Sequence, residues 1–215
     1  SRVAVVAGDT KVVRRGEGSG LYLSVTGIGV RRAGARLGMA RIAPDDVVLV
    51  SGPVGDHGIA VMLARGQFGL SGELRSDSAS VLPLTRAVRD FPDLKFMRDP
   101  TRGGLATVAH EIARASGHSV ALDQNAVPLR PEVVSVCEML GYDPYYLACE
   151  GRVVAVADPF AADEVLARWR ALPEGREAAI IGRIETGGSR VILETGLGGR
   201  RMLDELEDDP LPRIC

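Results

Sequence analysis

The chain has 215 residues, 46% apolar and 25% charged, an ordinary balance for one large globular domain or two small ones. A formal net charge of -2 gives no reason to expect binding to nucleic acid or to an anionic membrane surface, and no apolar run reaches transmembrane length. Cys137, Cys149 and Cys215 are odd in number and far apart, neither a disulfide framework nor a CxxC metal pair, so a reducing cytoplasm is expected.

Residues 3–6 and 11–13 are β-branched runs around the turn-like Ala7-Gly8-Asp9-Thr10, and residues 21–25 follow a glycine-rich stretch. The start therefore reads as a small strand-rich piece. Residues 31–41, basic and without a clear period, are the expected linker. A second domain then opens with a buried strand at 46–50, a glycine turn and a helix at 57–65. Another helix is expected at 80–91, where Pro83 is tolerated only in the first turn. Leu105, Val108, Ala109, Ile112 and Ala113 keep helical spacing, and Gly117 is a natural stop. Val133, Val134, Val136, Cys137 and Leu140 mark the next helix, between Pro131 and Gly141. Residues 153–157 read as a strand, and Val165, Leu166, Trp169 and Leu172 as an amphipathic helix. Residues 179–184 and 190–194 read as the last strands, around Gly187-Gly188. This irregular alternation favours an α+β fold, helices packed on a mixed sheet, over a doubly wound one.

Four constellations carry chemistry. In Gly8-Asp9-Thr10-Lys11-Val12-Val13 a carboxylate, a hydroxyl and an ammonium flank a glycine. Asp9 can hold Mg2+ and Lys11 can neutralise a transferring phosphoryl group, although a polar hairpin turn explains the same residues. Asp99-Pro100-Thr101-Arg102-Gly103-Gly104 opens a helix, with Thr101 as the expected N-cap and a helix N-terminus that attracts anions. Its glycines permit close backbone approach and its arginines can fork onto phosphate. Gly52-Pro53-Val54-Gly55-Asp56-His57-Gly58 is a strand-to-helix turn in which Asp56 is a candidate cap and His57 a proton shuttle or a structural histidine. In Cys149-Glu150-Gly151-Arg152, Glu150 reads either as a buried general base or as the partner of an arginine. His110-Glu111 is no zinc motif, because Arg114 stands where the second histidine belongs. The chain ends in Pro212-Arg213-Ile214-Cys215, a thiol on a proline-stiffened arm. At about 3.1 Å per residue that arm, from Asp204 on, reaches roughly 30 Å.

Taken in order, these motifs closely resemble the hydrogenase maturation factor HypE family, one branch of an ATP-using superfamily that includes aminoimidazole ribonucleotide (AIR) synthetase and selenophosphate synthetase. The likeness spans almost the whole chain. It implies the end of an ATP-binding domain and a linker over 1–38, a complete AIR-synthetase-like C-terminal domain over 39–203, and a flexible tail over 204–215. It also implies a chemistry. The carbamoyltransferase HypF loads a carbamoyl group on Cys215, ATP activates its oxygen, and loss of water leaves a thiocyanate. Delivery to HypC–HypD then supplies cyanide to the iron of a nickel–iron hydrogenase. The resemblance makes Cys215, Lys11 and Glu150 catalytic. It places Asp9 and Thr10 at the nucleotide, with Mg2+ on Asp9, and Asp99, Thr101, Arg102, Gly103 and Gly104 along the nucleotide or thiocarboxamide pocket. It implies a homodimer for the full-length protein. Cys149 departs from the asparagine expected before the glutamate. Family members carry roughly a hundred or more residues before the first motif, a domain's worth. The chain also starts at Ser1, without Met, as a fragment would, so by itself it is expected to be catalytically silent. Two other readings stand beside this one: a carrier module that presents the tail, and a relative acting on a small ribonucleotide or selenide.

Overall fold

The computed structural model describes residues 3–18, 20–31, 34, 36–66 and 69–206. Contacts divide the chain into two units, Ser1–Ala35 and Arg36–Cys215. In the first unit no described residue belongs to a strand, contrary to the strand-rich piece expected there. Its apolar side chains point outward, Val5 at 92% and Ile28 at 97% exposure. The β-branched runs are present, but a strand exists only within a ladder, and short runs with no packed face do not hold one. A turn closes where the Glu17 N–H donates to the Arg14 carbonyl at 3.0 Å.

The second unit is α+β. Its elements are β1 (Val47–Val50), α1 (Asp56–Ala64), α2 (Leu82–Val88), β2 (Leu94–Arg98), α3 (Gly104–Ser116), β3 (Ser119–Asp123), α4 (Pro131–Leu140), β4 (Val154–Ala157), α5 (Pro159–Arg170), β5 (Ala179–Glu185), β6 (Val191–Glu194) and β7 (Arg200–Met202). The strands form one mixed sheet in the order β2-β4-β1-β5-β3-β6-β7. All neighbours are antiparallel except β3 and β6.

Alternation along the strands sorts the core into two layers. Val48, Val50, Val154, Val156, Val120, Leu122, Val191 and Leu193 face α3, which buries Leu105, Val108, Ala109 and Ile112 against them. Leu49, Ala155 and Ala157 face the other way, onto Leu84 and Val88 of α2 and Val165 and Trp169 of α5. A third cluster joins Ile59 and Met62 of α1 to Val133, Val136 and Cys137 of α4. Two register shifts break the alternation. One lies opposite Val48 and Leu49 and skips Ile181, which puts Ile181 and Ile184, three residues apart, in the same layer. The other skips Lys95, so Leu94 and Phe96 fall in different layers and Lys95 pairs with the buried Asp46.

The helix ends follow local chemistry. Gly117 and Gly141 close α3 and α4 in the left-handed conformation that glycine adopts without penalty. Asp158 caps α5 by accepting the Phe160 N–H at 3.0 Å, so this helix starts well before its apolar stripe. Strands β2 and β3 were not anticipated from sequence, and β7 follows the strands taken to be the last. Among the described residues no helix is long and apolar enough to cross a membrane.

Candidate functional site

Strand order decides which loops meet. Val50 at the end of β1 pairs with Val154 at the start of β4, and Arg98 at the end of β2 pairs with that same valine from the other side. The segments that leave β1, leave β2 and enter β4 therefore emerge at one edge of the sheet. They are the motifs 52–58, 99–104 and 149–152. Ser51 extends the ladder: its N–H donates to the Val153 carbonyl and its Oγ accepts the Val153 N–H, both at 3.0 Å.

The three motifs are bonded to each other. The Cys149 N–H donates to the Pro100 carbonyl at 3.1 Å, and Cys149 Sγ accepts the Gly55 N–H at 3.3 Å. Arg152 Nε donates to the Pro53 carbonyl at 2.9 Å, while Nη1 donates to the Glu174 carbonyl at 3.2 Å. The guanidinium lies so close over Gly52 that a Cβ there would stand 2.8 Å from Nη1. Burial pushes the Cys149 thiol well above its ordinary range, so this sulfur is a structural acceptor and not a nucleophile.

A ladder of charge runs beneath. Arg152 faces Asp77 at 3.4 Å and Asp56 at 3.6 Å. Asp56 Oδ2 also accepts Arg130 Nε at 2.9 Å, and Arg130 Nη2 reaches Glu177 at 3.0 Å. Asp56 is enclosed and its Oδ1 has no hydrogen-bond partner among the described residues. Burial raises its carboxyl above the ordinary range, against the pull of Arg130 and Arg152. Asp56 is thus the first residue of α1 and a charge partner, not the cap expected; Gly55 holds the cap position. His57 Nδ1 lies 2.8 Å from Ser76 Oγ.

Glu150 sits at the tip of this arrangement, and its side chain is exposed, not buried as one sequence reading had it. Nor does it pair with Arg152, which turns inward to Asp77 and Asp56. Thr101 is not an N-cap. Gly103 occupies that position at φ 66, and Thr101 Oγ1 donates instead to Asp99 Oδ2 at 2.7 Å. Gly104 also has positive φ, and a Cβ on it would meet the Tyr145 and Leu147 carbonyls at 2.5 and 2.6 Å. At Gly104 the close approach is made by the chain's own backbone. Arg102 and Asp99 are exposed on the open side of this turn.

Asp9, Thr10 and Lys11 belong to the first unit and are exposed, with the Thr10 N–H donating to Asp9 Oδ1 at 2.8 Å. Cys215 lies outside the described residues. The segment leading toward it is described as far as Leu206 and runs along α3. His110 Nε2 lies 2.9 Å from the Leu203 carbonyl, Tyr146 donates to the Asp204 carbonyl at 2.7 Å, and Arg114 pairs with Glu205. A Cβ on Gly103 would stand 3.4 Å from Leu206 Cδ2, so the described chain ends against the 99–104 turn. Sequence reasoning missed Asp77, Arg130 and Glu177. Only an aspartate between two serines in a long connection hinted at the first.

Residues 43–194 match the family described as AIR synthase related protein, C-terminal domain. The carbamoyl dehydratase HypE of Cupriavidus necator is 44% identical over 99% of this chain, and the chain spans only 61% of that relative's length. A hydrogenase maturation protein HypE solved in complex with ATP superposes with a TM-score of 0.75 at 37% identity, over 81% of this chain and 54% of that one. HypE in a HypE–HypF complex superposes with a TM-score of 0.75 at 34% identity, over 79% and 56%.

Proposed function

The chain belongs to the AIR synthase related family by its C-terminal domain, and from that premise we propose that it serves ATP-dependent carbamoyl dehydration in the maturation of nickel–iron hydrogenases. Its substrate is a carbamoyl group carried on the Cys215 sulfur and placed there by a HypF-type carbamoyltransferase. The product is a thiocyanate on that sulfur, passed as cyanide to a HypC–HypD acceptor. The complete protein works as a homodimer in the cytoplasm.

The residues suit the groups this chemistry needs. Asp9 offers one exposed carboxylate, the donor set with which Mg2+ joins phosphate oxygens and water. Arg102, exposed on the 99–104 turn, offers a guanidinium to phosphate, the half-buried Thr101 offers a hydroxyl once its proton turns away from Asp99 Oδ2, and the glycine pair shapes the turn. ATP, when bound, supplies the phosphoryl group that makes the carbamoyl oxygen a leaving group. Lys11 steadies the charge on the activated carbamoyl. Glu150 accepts the proton that nitrogen must shed as the C–O bond to the departing phosphate breaks and the C≡N bond closes.

The observation that carries this reading is the docking of 149–151 on 99–104 through the Cys149–Pro100 hydrogen bond of 3.1 Å, with Glu150 exposed and the root of the tail at Gly103. It puts Glu150, the polar 99–104 turn and Leu206, on the way to Cys215, at one end of the domain, which is the arrangement this reading needs. Intact-mass analysis of the complete protein with its loading enzyme, carbamoyl phosphate and ATP tests it. The parent is expected to pass from a carbamoyl to a cyano adduct on Cys215. Glu150→Gln is expected to stop at the carbamoyl adduct. Lys11→Ala is expected to slow conversion by about 10²–10³-fold, as removal of one charge-stabilising donor does. A cyano adduct formed at the parental rate by either variant refutes that residue's role.

A further inference from the structure

We propose that Asp77 is a positioning residue for Glu150, acting through the backbone. The connection between α1 and α2 runs over residues 65–81, a long one for a compact domain. It is held at several points. Leu70 and Leu74 pack on the cluster between α1 and α4, and Ser76 Oγ meets His57 and accepts the Ser78 N–H. The Asp77 side chain is fully enclosed although its neighbours Ser76 and Ser78 are exposed. One carboxylate oxygen accepts the Glu150 N–H at 3.1 Å. The other accepts the Gly151 N–H at 3.3 Å and faces Arg152 Nε at 3.4 Å. Gly151 fits only because it lacks a Cβ, which would stand 1.9 Å from the Asp77 carbonyl.

One carboxylate therefore takes two successive amides of the turn that bears Glu150, while Pro100 takes the amide before them. Three consecutive N–H groups are fixed from two sides. The Glu150 side chain is exposed, so its backbone sets where the Cα–Cβ bond points and hence the region its carboxylate can reach. Asp77 sets that backbone. A displacement of about 1 Å at a reacting group can cost about 100-fold in rate, and that is the loss expected here.

The inference rests on Glu150 being the base, and its test separates the two. Asp77→Asn keeps the volume but leaves only one acceptor for two amides. In the complete protein it is expected to lower kcat for cyano-adduct formation about 100-fold, with the KM for ATP and the rate of carbamoyl loading unchanged. Hydrogen exchange at the Glu150 and Gly151 amides should quicken while α3 amides stay protected. Quickened exchange with parental kcat overturns the positioning role. A KM for ATP that rises in step with the loss overturns it too. Slow exchange of these two amides in the parent needs no variant, and free exchange there refutes the clamp even if Asp77→Asn fails to fold. Full activity in Glu150→Gln refutes the base assignment instead, whatever Asp77 does.

Discussion

Substituting Gly104 by alanine tests the contact on which the site is built. The residue sits at φ 60, where a Cβ brings about 1–2 kcal/mol of backbone strain. That Cβ would also press on two backbone carbonyls, Tyr145 at 2.5 Å and Leu147 at 2.6 Å, and backbone cannot rotate away as a side chain can. Overpacking of this kind adds about 1–3 kcal/mol, for a total of about 2–5 kcal/mol. Gly117 is the control: its φ of 73 carries similar strain, but nothing lies within 4 Å of its added Cβ. The difference between Gly104→Ala and Gly117→Ala thus isolates the clash. Urea unfolding followed by the fluorescence of Trp169, the only tryptophan and fully buried, measures it. With m near 2 kcal/mol per M, the Gly104 variant should unfold about 0.5–1.5 M earlier than the Gly117 variant. Coincident midpoints would refute the docking of α3 on the 144–147 turn.

Cys137 and Cys149 should resist alkylation in the native protein and react fully in denaturant, because both are buried; burial moves the Cys137 thiol to about 11 and Cys149 higher still. Native modification of either, found by peptide mass, would contradict this. Glu194 is held below its ordinary 4.5 by hydrogen bonds from Arg183. Its stabilising share is present above pH 4.5 and lost as pH falls through the lowered folded value. Glu194→Gln should remove that part of the acid limb, at most about 1 kcal/mol for a solvent-open pair; an unchanged acid limb would refute it. Asp56 works in the opposite sense: its folded value is raised above 3.8, so its share weakens stability as pH rises through that folded value.

The helices were legible because their signals are local. The apolar spacing of 105–113 and the glycine at 117 needed no knowledge of the rest of the chain to mark α3. The α+β class followed from the order of such elements. What escaped was long-range. Strand β2 carries a bulge at Lys95 that breaks its alternation, and Lys95 points to Asp46, almost fifty residues away. Strand β3 is a short apolar run whose strand character comes from β5 and β6 on either side. The same limit governed the site. Cys149-Glu150-Gly151-Arg152 was visible as a motif, yet whether its glutamate or its arginine is buried depends on Asp77 and Asp56, more than seventy residues earlier. The glycine pair at 103–104 was read as permitting close backbone approach, and the structure uses Gly104 for it against a 3-10 turn whose Asp143-Pro144 start is a local signal but whose contact with α3 is not.

A base that must serve a thiol arm faces two opposed demands. It has to be open, so that the arm can bring its group, and it has to be fixed, because a wandering carboxylate forfeits the gain of being held in place. Burying the glutamate would meet the second demand and defeat the first. On the proposed assignment of Glu150 as that base, the demands fall on different atoms. Glu150 keeps its side chain in solvent, and the amides of residues 149–151 are bound by Pro100 and Asp77. The desolvated charge lies one layer down, where Arg152 is shared between Asp77 and Asp56. Breaking such a pair from one side leaves the other charge uncompensated, at a cost of about 3–5 kcal/mol. Substitutions in Asp77, Arg152 and Asp56 should therefore be strongly non-additive, because the first to go already removes most of the support the others provide.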